Sequence, residues 1–583
     1  LLGAGGVTSA GTRLADLGAV QVSVGVRTGP VADVVAVAVT VVALLVQVYS
    51  LGYLREDTRY APYAAQISVF TAAMLTVVVA TDLVQLLVGW EVMGICSYLL
   101  IGHDRSLPAA PGAAVKAFLV TRVGDVGFWL GVVLLGTGAG SFQIDRVLAA
   151  NGTGELSPGR TTAACLLLLL GVAGKSAQFP LHTWLPDAMA GPTPISALIH
   201  AATMVAAGIY VVVRLYPLFL SAPAALAVLG VIASVTMLLG ALAACAQDDL
   251  KRVLAWSTVS QVAYMAGALA VGSAGAAVFH LLSHAAFKAL LFLAAGSVIH
   301  AAGTNLMSRM GGLRRGMPIT FGTMTVGLAA LAGIPPFAGF WSKDSVLGAA
   351  AGATGEGPAP AWTAWLVLLV GLVTTAVTAW YVTRLWLRTF FGDARSAVAP
   401  HEPGRLVWTP LVLLAVPSAL LGLLLLAPAG GRTGWFADTP LRHAADYVPT
   451  GAVGAASLDP VTLGVGLLLT ALGVLAGYRA WRRDTAADPA RLLGPVRPVL
   501  ERAFYLDEAQ RALVVRPVLA LARAARSGDD RLVDGAVEGA GRGSVRLGGL
   551  LGRSHTGLPR YVTAVLGGAV LLGVLAVLVG GVR

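Results

Sequence analysis

The fold is decided by residues 279–299, which read FHLLSHAAFKALLFLAAGSVI. An apolar run of about twenty residues is long enough to cross a bilayer as a helix. Three titratable residues interrupt this run at positions i, i+4 and i+8, namely His280, His284 and Lys288. That spacing places all three on one helix face, over about 12 Å. The stretch therefore predicts a membrane-spanning helix with titratable groups along one side.

Apolar runs recur throughout the chain. Of its 583 residues, 57% are apolar and 12% are charged, whereas a soluble protein carries about 25% charged residues. This composition excludes a water-soluble enzyme, and the unbroken runs exclude a transmembrane barrel, whose strands alternate. We count about fourteen spans, near 31–49, 63–80, 83–100, 115–135, 163–187, 195–216, 224–246, 250–271, 275–300, 319–349, 362–391, 409–427, 460–481 and 561–582. The sequence thus predicts an all-α polytopic membrane protein.

Two of these runs contain prolines that a continuous helix would not tolerate. The run 163–187 holds Pro180 and Pro186, and the run 319–349 holds Pro335 and Pro336. Proline removes a helix hydrogen bond and clashes with the preceding turn, so we expect both helices to be broken inside the bilayer. Broken helices expose backbone groups and dipole ends, an arrangement that transporters use for ion sites. The two breaks share a loose sequence pattern, which favours an internal repeat.

Lysine is used sparingly. Only five of the 40 basic residues are lysines, and all five lie within or at the ends of predicted spans: Lys116, Lys175, Lys251, Lys288 and Lys343. A buried lysine can lose its proton, whereas an arginine cannot. This usage therefore favours titratable cations inside the membrane. For Lys116 and Lys251, an anchor whose stem reaches the membrane interface is an equal alternative.

Acidic and histidine residues accompany the lysines. Glu91 lies in the middle of a span, where a carboxylate is costly unless it is paired or protonated. Asp125 follows Arg122 at i, i+3, a spacing at which the two charges neutralise each other. Asp344 directly follows a lysine, and His200 lies in a neighbouring span. A single buried histidine is usually a core residue, but several titratable groups in line favour a proton wire bridged by waters.

The distribution of basic residues predicts the topology, and the net charge is +11. Loops after odd-numbered spans hold Arg55, Arg59, Arg105, Lys251, Arg252, Arg309, Arg314, Arg315, Arg388, Arg395 and Arg405. Loops after even-numbered spans hold only Arg146, Arg160, Arg214, Arg432 and Arg442. The positive-inside rule places the first set in the cytoplasm and both chain ends outside. A basic balance on a membrane protein indicates a cytoplasmic surface, and we expect no nucleic-acid partner.

The segment 482–560 differs from the spans around it. Its apolar residues follow helical spacing, with arginines elsewhere around the wheel: Leu506, Leu513, Val514, Val518, Leu521 and Ala525. This pattern predicts an amphipathic helix, interrupted near Pro517, that lies along the membrane surface or a partner on the cytoplasmic side. A solvated tail is the alternative. The span 561–582 would then anchor its far end.

No cofactor motif is visible. The three cysteines, Cys96, Cys165 and Cys245, have no paired spacing, so we expect no metal site or iron–sulfur cluster in this chain. Flavin, nucleotide and quinone motifs are also absent from the sequence.

Four stretches resemble the antiporter-like membrane subunits of proton-pumping NADH:quinone oxidoreductase, respiratory complex I, and in particular the distal subunit L family. They are GWEVMGICSYLLIG (89–102), GKSAQFPLHTWLPDAMAGPTPISALIHAATMVAAGIY (174–210), residues 279–299 and GIPPFAGFWSKD (333–344). Residues 504–508, FYLDE, resemble the start of the family's lateral helix. His103-Asp104-Arg105 departs from the family, which has a more aromatic stretch there.

The resemblance implies an antiporter-like fold with two inverted repeats, a lateral helix and a final anchor. We therefore divide the chain into an N-terminal extramembrane remnant (1–30), two antiporter-like halves (31–216 and 217–391), additional spans (392–481), the lateral helix segment (482–560) and the anchor (561–583). Family members have sixteen spans, and this chain begins at Leu1. We therefore expect the first two spans to be missing.

The resemblance also implies roles for individual residues. Glu91 and Lys175 match the uptake-side pair, and Lys288, with His280 and His284, matches the central relay. The remaining matches are Lys343 and Asp344 on the exit side, Asp125 with Arg122, and His200; Lys251 is a further candidate. The implied function is proton translocation as a subunit of a bacterial plasma-membrane enzyme. Partner subunits, above all the neighbouring antiporter-like ones, would supply FMN, iron–sulfur clusters and quinone.

Two other functions fit the residues. One is an Mrp-type cation/proton antiporter subunit, which would exchange sodium without NADH. The other is structural, with the segment 482–560 clamping a membrane arm together while the buried charges only pack.

Overall fold

The protein is largely helical. A computed structural model of the chain describes residues 8–16, 21–395, 399–425, 459–554 and 557–581. Two strands, β1 (Thr8–Asp16) and β2 (Gln21–Thr28), precede the helices α1 (Pro30–Tyr53), α2 (Tyr60–Val79), α3 (Leu83–Ile101), α4 (Ala109–Ala139), α5 (Ile144–Gly152), α6 (Pro158–Lys175), α7 (Trp184–Asp187), α8 (Thr193–Ala201), α9 (Met204–Arg214), α10 (Tyr216–Leu220), α11 (Pro223–Ala246) and α12 (Leu250–Ala270). The chain continues with α13 (Ala274–Ala302), α14 (Pro318–Ala332), α15 (Ala338–Gly352), α16 (Ala361–Phe390), α17 (Arg405–Leu420), α18 (Pro460–Arg483) and α19 (Arg497–Glu501).

The two strands form an antiparallel hairpin that the sequence did not predict. In β2 the buried side chains are polar, Ser23 and Arg27, whereas the valines between them are exposed. Ser23 donates to Asp82 from both its backbone amide (3.0 Å) and its hydroxyl (3.1 Å), and Arg27 pairs with Asp145. Polar contacts to the ends of neighbouring helices therefore hold this hairpin. Its alternation is the reverse of the usual pattern for a half-buried strand.

Among the described residues, twelve helices are long and apolar enough to cross a membrane. They cover every predicted span except 163–187 and 319–349. The first of those runs divides at Lys175, where α6 ends, and the second divides between Ala332 and Ala338. The two helix breaks predicted from the prolines are thus confirmed, and the long helices around them confirm a polytopic helical protein.

A third break was not predicted. The span 193–214 is divided between α8 and α9, because Thr203 has a non-helical backbone (φ −118°, ψ −106°). Its hydroxyl donates to the carbonyl of Leu198 at 2.6 Å. A hydroxyl that competes for a helix carbonyl is a known cause of a helix break. The sequence around Thr203 contains neither proline nor glycine, so nothing in its pattern indicated this one.

The helices α12 and α13 lie at the centre of this bundle. All of α12 is buried, and so is nearly all of α13. α13 packs against α8, α12, α14, α15 and α17. A helix that is mostly apolar around its whole circumference, as α13 is, is expected at such a buried position. Consequently the polar residues of α13 can meet only other parts of the protein.

From Tyr505 onward the chain forms a separate unit. It is helical from Leu506 to Ser554, comprising α20 (Leu506–Gln510), α21 (Arg516–Gly528) and α22 (Gly535–Ser554) joined by two π-helical turns, and it ends in α23 (Leu558–Gly580). The first π turn ends at Val515, two residues before Pro517, which stands in the first turn of α21. The interruption predicted near this proline is therefore present, and it takes the form of a π turn that accommodates the missing amide.

A buried ion pair ties α16 to the segment after α18. Arg384 is fully buried and donates to both carboxylate oxygens of Asp488, at 2.6 and 2.7 Å. A third bond, of 2.8 Å, runs to the carbonyl of Gln247. Burial alone would raise the pKa of Asp488, but the hydrogen bonds from Arg384 lower it to about 2.

We expect Asp488→Asn to lower the thermal stability of the detergent-solubilised protein. Removing one partner leaves the buried Arg384 charge uncompensated, at a cost of about 3 kcal/mol. A carboxyl with a lowered pKa stabilises the fold above its unfolded pKa of about 4, and this contribution disappears only as the pH falls toward 2. The loss in melting temperature should therefore be the same at every pH from 5 to 8.

The matched control is Asp484→Asn, because Asp484 is exposed and accepts hydrogen bonds only from nearby backbone amides. Equal melting temperatures for Asp488→Asn and Asp484→Asn would show that the ion pair between Arg384 and Asp488 does not stabilise the fold.

Candidate functional site

Lys175, the last residue of α6, is fully buried at the first helix break. Its Nζ lies 3.3 Å from Oδ2 of Asp125 on α4, an ion pair without hydrogen-bond geometry. The indole of Trp90 donates to the other oxygen of Asp125 at 2.6 Å. A helix ends in partial negative charge, which favours a cation there. The break and Asp125 together make a buried ammonium group tolerable at this position.

Glu91 on α3 takes part in the same cluster through a different partner. It forms an ion pair with Arg122, and the indole of Trp129 donates to it at 3.1 Å. Arg122 Nη1 also lies 3.8 Å from Asp125 Oδ2. In the structure, Lys175 thus pairs with Asp125, whereas Glu91 pairs with Arg122. α4 packs against both α3 and α6, and it places Arg122 and Asp125 between the two predicted partners.

Lys288 lies in the middle of α13 and is fully buried. Its Nζ donates to the carbonyl of Leu254 at 3.0 Å and to the hydroxyl of Ser257, both on α12. No carboxylate is within ion-pair distance of Lys288 in the described part of the chain. Its surroundings are thus uncharged oxygen atoms, unlike those of Lys175.

The titratable side chains predicted to lie along one face of α13 do lie in a row in the structure. His280 and His284 are both buried, with ring centroids 6.3 Å apart. His280 Nδ1 is hydrogen-bonded to the hydroxyl of Ser342 at 2.9 Å, and its Nε2 has no partner. His284 is hydrogen-bonded to the backbone of Ala201 and interacts electrostatically with Lys288. The line therefore continues from Lys288 toward α15.

His200, in the last turn of α8, also joins this row. It is fully buried, and neither ring nitrogen has a hydrogen-bond partner. Its ring packs on Phe292 with centroids 4.5 Å apart, and it interacts electrostatically with both Lys288 and Lys251. A buried histidine with two unsatisfied nitrogens is costly, so its position indicates more than core packing.

Lys343 and Asp344 stand at the second helix break. Lys343 Nζ donates to the carbonyl of Leu331, in the last turn of α14, at 2.5 Å. Asp344 Oδ1 accepts from the hydroxyl of Thr462 at 3.3 Å, and its Oδ2 has no partner. A cavity of about 20 Å³ adjoins both side chains, enough for about one water molecule. Tyr264 connects this end to the row, since its ring centroid lies 5.7 Å from Lys343 Nζ and 6.0 Å from the His280 ring.

The other two lysines contact different groups. Lys251 Nζ donates to the carbonyls of Met189 and Gly191, each at 2.7 Å, in the segment before α8. Lys116 is partly exposed and donates to Asp187 at 2.6 Å, and Arg252 donates to the second oxygen of the same carboxylate at 3.1 Å. These contacts fit the anchor interpretation for Lys116.

Sequence reasoning missed the neutral hydrogen-bond partners of the predicted site residues. Ser257, Ser342, Thr462 and Trp90 each contact a predicted site residue. Trp90, adjacent to Glu91, and Ser342, adjacent to Lys343, had a sequence signal that could have revealed them. Within the described ranges, no group of three or more His, Cys, Asp or Glu side chains is arranged to hold a metal ion.

Two broken helices and a central row of buried lysines and histidines define an antiporter-like membrane protein, and comparison with known families agrees. Residues 80–377 match the family described as NADH:quinone oxidoreductase/Mrp antiporter, and residues 14–64 match the N-terminus of complex I chain 5. Among solved structures, an Mrp complex from a Dietzia species has a chain with a TM-score of 0.74 and 28% identity, covering 99% of this chain. This chain spans 58% of that one.

Individual relatives narrow the assignment. The chain is 40% identical to NAD(P)H-quinone oxidoreductase chain 5 of a Picosynechococcus species, over 92% of this chain and 84% of the relative. It is 40% identical to NADH-quinone oxidoreductase subunit L of Mycobacterium tuberculosis, over 95% of this chain and 86% of the relative. The chain therefore belongs to the subunit L, or chain 5, family of NADH:quinone oxidoreductase.

The cluster around Lys175 depends on the small size of Gly94 on α3. A methyl group at this glycine would lie 2.5 Å from Lys175 Nζ, so Gly94→Ala must push the ammonium group away from its place beside Asp125. We expect the variant to assemble normally and to lose most of its proton pumping, measured as acidification of inverted membrane vesicles. Gly112→Ala is the control, because a methyl group there meets nothing within 4 Å. Unchanged pumping by Gly94→Ala would show that the position of Lys175 is unimportant.

Proposed function

We propose that this chain is a proton-translocating membrane subunit of NADH:quinone oxidoreductase, driven by redox chemistry in partner subunits. One observation carries the proposal. Lys175, Lys288 and Lys343 are at most 3% exposed, and buried histidines line the way between the last two. Ionisable residues inside a membrane are costly and mark ion pathways. Membership of the subunit L family supports the same function.

The first step concerns the Lys175–Asp125 pair. At 3.3 Å, and with an effective dielectric constant of about 20, the pair attracts by about 5 kcal/mol. Moving one elementary charge against 100 mV costs about 2.3 kcal/mol. The attraction is larger than the cost of moving the charge. Losing this attraction therefore changes the energy of the Lys175 ammonium group enough to make it release its proton. Glu91 and Arg122 are placed to control it, because Arg122 contacts both carboxylates.

The central steps use neutral acceptors. Lys288 has no carboxylate beside it, so its charge is held only by a carbonyl and a hydroxyl. A proton that arrives there is easily passed on, first to His284 and then to His280. The ring centroids of the two histidines are 6.3 Å apart, a separation that one bridging water can close.

Lys343 and Asp344 form the outlet. Lys343 holds its charge with one backbone carbonyl, and Asp344 presents one unpartnered oxygen beside the water-sized cavity. Asp344 can accept the proton from Lys343 through that cavity and release it toward Thr462. Each transfer moves a proton between existing acid and base groups, so no other reactant is needed.

The same proposal implies a membrane, an orientation in it and a set of partner subunits. We infer a bacterial plasma membrane, with the arginine-rich loops on the cytoplasmic side. The neighbouring membrane-arm subunits would contact the amphipathic segment 482–560, and FMN, iron–sulfur clusters and quinone would reside in partner subunits.

A second function is favoured by one observation, the similarity to a chain of the Mrp complex over 99% of this chain. A cation/proton antiporter would exchange sodium for protons without NADH. Sodium exchange by NADH-starved vesicles, absent when the subunit is deleted, would support this alternative.

The decisive variant is Lys288→Arg, which keeps the positive charge but cannot release its proton. If Lys288 relays protons, NADH-driven pumping should fall more than about tenfold, as expected for a lost proton-transfer group. Pumping is measured in inverted vesicles, and assembly is checked on a native gel stained for NADH oxidation.

Lys116→Arg is the matched control, since Lys116 is partly exposed and paired with Asp187. It should pump like the unmodified complex. Normal pumping by Lys288→Arg would mean that the row of charges only packs, as in the structural alternative.

A further inference from the structure

A large cavity opens beside two of the arginine-bearing loops, and none of its lining residues belongs to the Lys175 cluster. Its volume is about 700 Å³, and its walls come from the loop after α1, the loop after α3 and the segment before α8. Among the residues that line it are Tyr53, Asp57, His103, Gly191, Thr193 and Lys251. A space of this size holds many water molecules. Nothing in the pathway described above uses it.

A titratable pair lies at the outer part of this cavity. His103 Nε2 is 2.8 Å from Asp57 Oδ2, and the His103 ring meets the edge of Tyr63 with centroids 5.3 Å apart. His103 belongs to the His103-Asp104-Arg105 stretch in which the sequence departs from its family. Burial tends to raise the pKa of Asp57, but the hydrogen bonds from His103 and from the backbone amide of Arg59, together with the charges of these two residues, lower it. Both side chains of this pair line the cavity.

Other charges face the same pair. Glu56 and Asp104 line the cavity beside it, and Arg59 reaches Asp104 at 3.9 Å. Lys251 is the cation on the inner wall. Among the residues that the structure describes, the lining thus holds three carboxylates and two cations, Arg59 and Lys251, and Arg55 and Arg105 lie in the same two loops.

The inner wall of the cavity leads to the central row. Lys251 is held by the carbonyls of Met189 and Gly191, which also line the cavity. It interacts electrostatically with His200, which in turn interacts with Lys288. His200 has no hydrogen-bond partner on either ring nitrogen, so both are open to a donor on one side and an acceptor on the other.

We propose that this cavity is a proton-uptake vestibule in which His103 and Asp57 collect protons from water and deliver them by way of Lys251 and His200 to Lys288. This inference rests on the proposed function and adds a second uptake route that bypasses Lys175. The proton moves from water to the His103–Asp57 pair, then through cavity water to the inner wall, and no other reactant takes part.

The test compares Asp57→Asn and His103→Gln with the unmodified complex in inverted vesicles at pH 6 and pH 8. We expect pumping to fall about tenfold at pH 8, where protons are scarce and collection limits the rate, and much less at pH 6. Asp57→Glu keeps the carboxylate and should restore the rate. Glu155→Gln is the matched control, because Glu155 is an exposed carboxylate that pairs with Arg146 elsewhere.

The vestibule is overturned if Asp57→Asn and His103→Gln match the unmodified complex at both pH values, or if they lose activity equally at both. The proposed function fails separately, through normal pumping by Lys288→Arg. If Lys288→Arg is inactive while the two vestibule variants are normal, only the second uptake route is wrong.

A second test leaves the charged pair intact. The native cysteines Cys96, Cys165 and Cys245 are buried, so a cysteine placed at exposed Ala109 on the cavity wall can be labelled with a bulky, membrane-impermeant thiosulfonate. Labelling of Ala109→Cys should slow pumping several-fold at pH 8. Labelling of Gly404→Cys should have no effect, because Gly404 lies in another loop on the same predicted side and the space around it is open. Full activity after complete labelling of Ala109→Cys would exclude uptake through this cavity.

Discussion

An ammonium group inside a bilayer needs oxygen atoms around it, and this requirement governs the structure. A continuous helix uses nearly all of its carbonyls internally, so free carbonyls come from helix ends and irregular segments. Lys175 ends α6, Lys343 bonds to the last turn of α14, and Lys251 bonds to the segment before α8. Helix ends and irregular segments thus accommodate three of the buried lysines, whereas Lys288 bonds to a carbonyl and a hydroxyl of the continuous helix α12.

The lysines differ in how their charge is held, and the difference gives the row a direction. Lys175 has a carboxylate partner, whereas Lys288 and Lys343 have only neutral oxygens. Holding a proton is therefore easiest at the start of the row and harder further along.

Much of this arrangement could be predicted from the sequence, because it follows from spacing along one helix or from proline chemistry. The line of His280, His284 and Lys288 is fixed by helical periodicity, and the breaks are fixed by Pro180 and Pro335. Partner choice across helices could not be predicted. Glu91 and Asp125 are both carboxylates near Lys175, and only the packing of α4 between α3 and α6 decides which one contacts it. The hairpin was missed because its polar side chains face inward, and the break at Thr203 was missed because a single hydroxyl causes it.

Asp344 receives its hydrogen bond from Thr462, which lies on α18 and so outside residues 80–377 that match the shared antiporter family. The last carboxylate of the proposed pathway is therefore bonded by a helix outside the matched antiporter region. Relatives that share the antiporter core but differ in their later helices can present a different donor to this carboxylate. The final release step can thus be altered without touching any residue of the core.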